Sequence, residues 1–221
     1  MNLTFISDTH TRHREMQLPG GDVLVHCGDF MNAGHVAHDI SDFASWMVSQ
    51  DYKHFILVAG NHDRLFQEYP EVALELLDLY GDQKINYLQD SSVTIEGTKF
   101  YGSPWTPYFC NWAFQLYGDD AAAEKWEEIP MDTDVLITHG PAFGYLDSIT
   151  QVSAKPQGNL GCQPLRERIE VVKPKIHACG HIHSGQGVLD GYGEVTTHIN
   201  AACLGEDYGY SNPKDFIEWT V

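Results

Sequence analysis

Basic residues are scarce in this chain. It has 13 lysines and arginines against 31 aspartates and glutamates, a formal net charge of −18. A protein that grips duplex nucleic acid neutralises many phosphates with a basic face, so stable duplex binding is not expected. Cysteines are few and their spacing pairs none of them. Cys27, Cys110, Cys162, Cys179 and Cys203 are odd in number and form no CxxC. That pattern argues against a zinc–thiolate site and a disulfide framework, and fits reduced thiols in the cytoplasm. Long apolar runs are missing. None approaches the ~20 residues of a bilayer span, so no membrane segment is expected. The start, Met1-Asn2-Leu3-Thr4-Phe5-Ile6, has no basic segment followed by an apolar one, so no secretory signal is expected either. Repeats, low-complexity tracts and long linkers are also lacking, which gives one domain over residues 1–221.

What is present has an ordinary globular balance, 43% hydrophobic and 20% charged. A chain of this length can bury roughly 70% of its unfolded surface around one core. Short apolar runs bounded by Gly or polar turns read as buried strands at Leu3–Ile6, Val23–Cys27, His54–Ala59, Val135–Thr138 and Ile176–Cys179. Helical spacing covers Val36–Gln50, Val72–Tyr80 (with Gly81 placed to stop it), Ala121–Glu128 and Leu165–Val172. Between them, Ile85–Leu88, Ser92–Ile95 and Lys99–Gly102 read as an antiparallel meander, with Glu96-Gly97 as a turn. An aromatic loop follows, holding Tyr101, Trp105, Tyr108, Phe109, Trp112, Phe114 and Tyr117 and broken by Pro104 and Pro107. Val188-Leu189, Val195–Asn200 and Phe216–Val221 close the chain as β structure.

The chemistry collects where the strands stop. Five of them end in Asp8/His10, Asp29, Asn61/His62, His139 and His181/His183. In open α/β sheets, ligands bind at the carboxyl ends of strands. Asp-x-His and His-x-His put two side chains on one face of an extended segment. Hard oxygen with imidazole and no thiolate suits Mn, Fe, Zn or Co rather than a structural zinc. A carboxylate such as Asp29 can bridge two cations.

The ordered set DxH, GD, GNHD, THGP and GHxH, running from Asp8 to His183, resembles the calcineurin-like metallophosphoesterase superfamily. ISDTH, GDF after a strand, YGSPWTP, THGP, GHIH and a late INA resemble, more narrowly, its metallophosphoesterase-domain-containing, brain-type group. The resemblance implies a four-layer α-β-β-α sandwich with two mixed sheets face to face, and loops at one sheet edge holding two divalent ions, manganese favoured. It implies a first ion on Asp8, His10, Asp29 and His183, and a second on Asn61, His139, His181 and the shared Asp29. His62 is then the group that stabilises or protonates the departing oxygen, with Asp63 a possible orienter. Some relatives in the narrower group have Gly where this chain has His183, so a complete dinuclear centre is expected here.

The implied activity is metal-dependent hydrolysis of phosphate esters, with small phosphodiesters, cyclic nucleotides among them, as expected substrates. Phosphoserine/threonine phosphatases of the superfamily carry an Arg in GDxxDRG; here Asp29 is followed by Phe30-Met31-Asn32-Ala33-Gly34. A phosphomonoesterase or protein phosphatase is the rival enzyme, and a slowly turning over nucleotide-binding scaffold the rival from another class. Substrate contacts are expected from Asn61, His62 and Arg64, and from Trp105 and Trp112 by stacking on a base. Arg12 also lies beside a motif, within reach of a phosphate or simply exposed.

Overall fold

The computed structural model describes residues 1–149, 158–191, 196–209 and 216–221. The chain begins with β1 (Asn2–Ile6), β2 (Gly21–His26), α1 (Ala37–Val48), β3 (Tyr52–Leu57), α2 (Leu65–Glu68), α3 (Pro70–Tyr80) and β4 (Ile85–Tyr87). The middle holds β5 (Ser91–Ile95), β6 (Thr98–Ser103), β7 (Thr106–Pro107), β8 (Gln115–Leu116), α4 (Asp119–Glu127) and β9 (Val135–Thr138). Then come β10 (Ser148–Ile149), β11 (Gly158–Asn159), α5 (Gln163–Val172), β12 (Ile176–Cys179), β13 (Gly187–Leu189), β14 (Thr197–Asn200) and β15 (Ile217–Thr220).

Two large mixed sheets form. One has the order β15-β1-β2-β3-β4, the other β13-β14-β12-β9-β6-β5. Alternation along each strand divides its side chains between two faces. Leu3 and Phe5 of β1, Val23 and Val25 of β2, Val135 and Ile137 of β9, and Ile176 and Ala178 of β12 share the core between the sheets. The opposite faces meet helices. Ile6, Leu24 and Leu57 pack with Phe43 and Met47 of α1 and Leu77 of α3. Tyr101 and Leu136 pack with Trp126 of α4 and Leu165 and Ile169 of α5. This is the expected α-β-β-α layering. Among the described residues, no helix is long and apolar enough to cross a membrane.

The expected meander does not form. β4 joins the first sheet parallel to β3, with Ile85 opposite Phe55, while β5 and β6 make an antiparallel hairpin in the second sheet. Ile85 is buried in the layer under α1 and α3, and Leu88 N–H bonds the Leu57 carbonyl. Burial against those helices decides the partner, and a three-residue strand carries no pattern that reveals it. The hairpin itself turns at Glu96-Gly97 as expected, both with positive φ (48° and 83°). The four expected helices agree with the periodicity to within two residues at each end, and the one-turn α2 was not expected. Of the expected strand Val195–Asn200, Thr197–Asn200 is observed and Val195 lies outside the described residues.

Parallel pairing sets the site. β1, β2 and β3 run parallel in the first sheet, and β9 and β12 in the second. The loops leaving these five strands meet at one edge, where close approach demands glycine. A Cβ on Gly180 would overlap Ser7 Oγ and Asp8 Oδ2, and one on Gly60 would overlap Asp29 Oδ1.

Candidate metal centre

Two donor clusters form at this edge. Asp8, His10 and His183 each offer one ligand atom within 4.8 Å of the others, and so do Asp29, His139 and His181. Asn61 joins the second cluster, its Oδ1 3.0 Å from His139 Nε2. Asp29 Oδ2 lies 3.2 Å from the same nitrogen, and Asp29 Oδ1 accepts the His62 backbone N–H at 2.7 Å. The two sheets supply both clusters jointly: β1 and β12 lead into the first, β2, β3, β9 and β12 into the second.

Backbone carbonyls orient the imidazoles. A carbonyl only accepts, so each Nδ1 that faces one carries the proton. His10 Nδ1 donates to Met31 O at 3.1 Å, His139 Nδ1 to Cys27 O at 2.9 Å and His183 Nδ1 to Gly205 O at 3.0 Å. His62 Nδ1 donates in the same way to Asn32 O. Each Nε2 is thereby turned inward, the arrangement that outer partners impose on metal-ligating histidines.

The donors fit divalent cations. Asp8 Oδ1 and His10 Nε2 are buried with no hydrogen-bond partner, a costly state unless something else binds them. The charges point the same way. Burial opposes ionisation of Asp8, but His183, its Nε2 3.4 Å from Asp8 Oδ1, holds the carboxyl well below the usual range. Burial disfavours a charged His183, yet Asp8 raises its pKa to about 9. In the second cluster burial again works against the ions, yet Asp29 and His139 stabilise each other. Asp29 is held low and His139 is raised to about 9. In each cluster a carboxylate draws positive charge onto the histidine beside it, where a cation would serve both. His181, by contrast, is pushed down to about 4 by burial and by His139.

A cavity of about 370 Å³ opens over the clusters. His10, Asp29, Asn61, His62, His181 and His183 form its floor, and Tyr108, Phe109, Trp112, Ile149, Leu160 and Tyr208 its walls. Glu206 lines it too, and among the described residues no Lys or Arg does.

The structure brings together Asp8, His10, Asp29, Asn61, His62, His139, His181 and His183. It treats five other expected residues differently. Asp63 does not orient His62; the Asn32 carbonyl does. Its fully buried carboxylate instead accepts N–H groups of Gly60 (2.7 Å), Asp29 (2.9 Å) and Met31 (2.9 Å), fastening the GD and GNHD loops together. Burial and the Asp29 charge push its pKa up, to about 8, against the pull of those donors. Trp105 is outside the cavity, because its indole N–H bonds Asp90 at 2.9 Å and Lys125 lies 5.3 Å from its ring. Arg64 is taken by Glu68 at 3.1 Å and by the Asn111 carbonyl, away from the floor. Arg12 pairs with Glu15 at 2.7 Å and bonds the Tyr208 carbonyl. Trp112 does line the cavity, but His62 stacks on it at 4.0 Å and 25°.

Sequence reasoning missed Tyr208, whose ring lies 4.9 Å from His10 and 5.3 Å from His183. It also gave no role to Asn200, although the INA triplet containing it had been noticed. Asn200 is fully buried, and its amide bonds the Ile182 and Leu146 carbonyls at 2.9 and 3.0 Å. An Asn set between Ile199 and Ala201 at the end of an expected strand was the available signal.

An oxygen-and-imidazole donor set at the shared edge of two mixed sheets defines a metallophosphoesterase. The calcineurin-like phosphoesterase family matches over residues 1–185, and the chain belongs to that family. Its members use a dinuclear divalent metal site, for which the two clusters are the candidates here. The chain is 37% identical to human "Metallophosphoesterase domain-containing protein 1" over 233 residues, covering 96% of this chain and 69% of that protein. It is 36% identical to a UPF0046 protein of Caenorhabditis elegans over 216 residues, covering 91% and 69%. A crystal structure only 15% identical shares the fold with a TM-score of 0.64, covering 91% of this chain and 90% of the other. Family membership supports metal-dependent phosphoester hydrolysis, and marks the chain as a phosphoric ester hydrolase.

Proposed function

We propose that this chain hydrolyses small phosphodiesters, with 2′,3′-cyclic nucleotides the leading candidates, using two manganese ions. One ion is assigned to Asp8, His10, Asp29 and His183, the other to Asn61, His139, His181 and Asp29. The observation that carries the substrate class is the cavity wall. It is aromatic and aliphatic, and among the described residues it has no Lys or Arg. A diester brings one negative charge, which the cations meet, and organic groups that suit apolar walls. A monoester dianion brings a second charge for which no described Lys or Arg waits. The volume, about 370 Å³, suits a mononucleotide-sized ligand. With Trp105 turned away, Tyr108, Phe109 and Tyr208 are the rings left to hold a base, for ~1–3 kcal/mol.

When bound, the cations supply Lewis acidity, acidifying the attacking water and neutralising phosphoryl charge. The chain's own residues do the rest. Asp29 belongs to the second cluster and anchors the His62 backbone. His62, fixed through Nδ1, turns Nε2 to the cavity, where as an imidazolium it gives the Nε2 proton to the leaving oxygen and is left neutral, its Nδ1–H still donated to Asn32 O. The thiols of Cys27, Cys110, Cys162 and Cys179 are free, which supports a reducing, cytoplasmic setting.

The test is a panel with Mn²⁺: 2′,3′- and 3′,5′-cyclic nucleotides, a nitrophenyl diester, the nitrophenyl monoester and a phosphopeptide. The expected result is the highest kcat/KM on a diester. Preference for the monoester or the phosphopeptide over every diester overturns the reading in favour of a phosphomonoesterase or protein phosphatase. Tight nucleotide binding with no metal-dependent turnover would make it a scaffold.

A further inference from the structure

The hydrogen bond from His62 Nδ1 to Asn32 O fixes one vector of the imidazole. It tolerates a range of ring tilts, because the terminal torsion of histidine is broad. A proton-transfer group needs its second nitrogen aimed as well. The contact that limits the tilt is Trp112, lying nearly flat on the imidazole at 4.0 Å and 25°. His10 bounds the ring edge-on at 4.8 Å.

The segment that bears His62 also holds Trp112 in place. Ala113 N–H bonds the Asn61 carbonyl at 3.1 Å, and Phe114 N–H bonds Gln67 Oε1 at 2.9 Å. Arg64 clasps the Asn111 carbonyl and stands 5.1 Å from the Trp112 ring. Residues 61–67 therefore grip both sides of Trp112. Indole and imidazole are carried by one unit, and one indole face is already occupied by His62. A base platform needs an open face.

We propose that Trp112 is a positioning residue for His62: its indole locks the imidazole in the orientation that delivers a proton to the leaving oxygen. Arg64 holds the loop that carries it. This rests on the assignment of His62 to the leaving group. It removes Trp112 from the substrate-stacking role and leaves that role to other rings of the wall.

The experiment is a double-mutant cycle on the Mn²⁺-loaded enzyme, with an alkyl and a nitrophenyl leaving group on the same diester. Trp112→Ala should lower kcat for the alkyl ester roughly ten- to hundredfold, part of the ~10²–10⁴-fold that a general acid supplies. It should leave KM and nitrophenyl turnover nearly unchanged. Trp112→Phe, which keeps a flat ring, should restore much of the loss. In a His62→Ala background, Trp112→Ala should cost nothing further. A loss that persists in that background, or that appears mainly in KM, means Trp112 holds substrate, and overturns the proposal. A second readout needs no activity. In metal-free wild-type protein the His62 ring protons should be shifted upfield by the indole, and Trp112→Ala should abolish that shift. Ring protons unaffected by the substitution would sink the proposal even if the enzyme is active. Absent turnover of every ester with the upfield shift present would instead refute the assigned function and leave the stack standing.

Discussion

Asn200 offers the sharpest test of how this centre is held. It ends β14, beside Cys179 at the end of β12. Its Nδ2 donates to Ile182 O at 2.9 Å, Leu146 O at 3.0 Å and, more weakly, Gly180 O at 3.4 Å. Its Oδ1 accepts the Ala202 N–H at 3.1 Å. One side chain thus ties the loop carrying His181 and His183 to the next sheet strand. Four bonds at a net ~1 kcal/mol each, part of it recovered by relaxation, put Asn200→Ala at about 3 kcal/mol. At ~2–4 °C per kcal/mol for a chain of this size, that is a fall in Tm of roughly 10 °C. Loosening the loop should also weaken manganese binding by ~10–100-fold, the usual cost of losing an outer partner of a metal site. Asn200→Asp discriminates further. It keeps the volume but aims a carboxylate at three carbonyl oxygens, so at pH 7 it should be less stable than Asn200→Ala. Those carbonyls raise the folded pKa of the new acid above its unfolded ~3.9. Its penalty relative to alanine should therefore shrink as pH falls towards that value. Thermal unfolding of the metal-free proteins and calorimetric titration with Mn²⁺ measure both effects. An Asn200→Asp protein as stable as the parent at pH 7 would refute the bonding argument. So would an Asn200→Ala protein that loses stability while binding manganese unchanged, for the link to the centre.

Asp29→Asn keeps the volume but removes a charge that both ions are proposed to share, so elemental analysis should show substantial metal loss; two metals per chain retained would end the shared-ligand assignment. His62→Ala should slow poor leaving groups by ~10²–10⁴-fold with metal content intact; equal losses for good and poor leaving groups would point to a role on the metals. His198, stacked on Tyr145 at 3.9 Å and bonded to His177 at 3.1 Å, is held down to about 4 by burial and the Arg166 charge. The folded state binds fewer protons there than the unfolded, so stability drains as pH falls from 6.5 to about 4, by up to about 3 kcal/mol; the stability gap to His198→Gln should close by that amount in urea titrations, and a constant gap would count against it.

The fold and the donor set were legible because both rest on short-range patterns. Apolar runs of four to six residues ending in Asp, Asn or His state both the strand and its business end. α1, α3, α4 and α5 declared themselves by periodicity, while the one-turn α2 is too short to show any. The four layers came from the resemblance, and alternation, as with Leu3 and Phe5 against Ile6, is how each strand serves two of them. What failed depends on long-range choices. Ile85 could pair with either sheet, and its burial under α1 and α3 decided it. Trp105 and Trp112 are indistinguishable as letters in one aromatic loop. Asp90, 15 residues before Trp105, claims its indole N–H, while Trp112 is left to His62. Asp63 stands next to His62 in sequence, yet adjacent residues on a tight turn face different ways. Its three N–H partners lie on both sides of the pocket floor.

One feature of the centre runs against the rules that made the rest readable. Asp8, His10, Asp29 and His181 all have positive φ, at 56°, 40°, 57° and 65°. That region favours glycine and costs other residues about 1–2 kcal/mol each. A reading by propensity would put glycine at all four places, and glycine carries no donor atom. The neighbouring Gly28, Gly60 and Gly180 show how tightly these loops are drawn. Tight loops let donors from two sheets converge, and strained backbone at the donors accompanies that convergence. The strain is tolerable because Asp63, Asn200 and the carbonyls of Cys27, Met31 and Gly205 over-determine each loop. It follows that replacing Asp29 by glycine should relieve backbone strain and raise the stability of the metal-free chain relative to Asp29→Ala, while restoring no metal. Metal-free Gly and Ala variants of equal Tm would show that the left-handed turn at Asp29 carries no such cost.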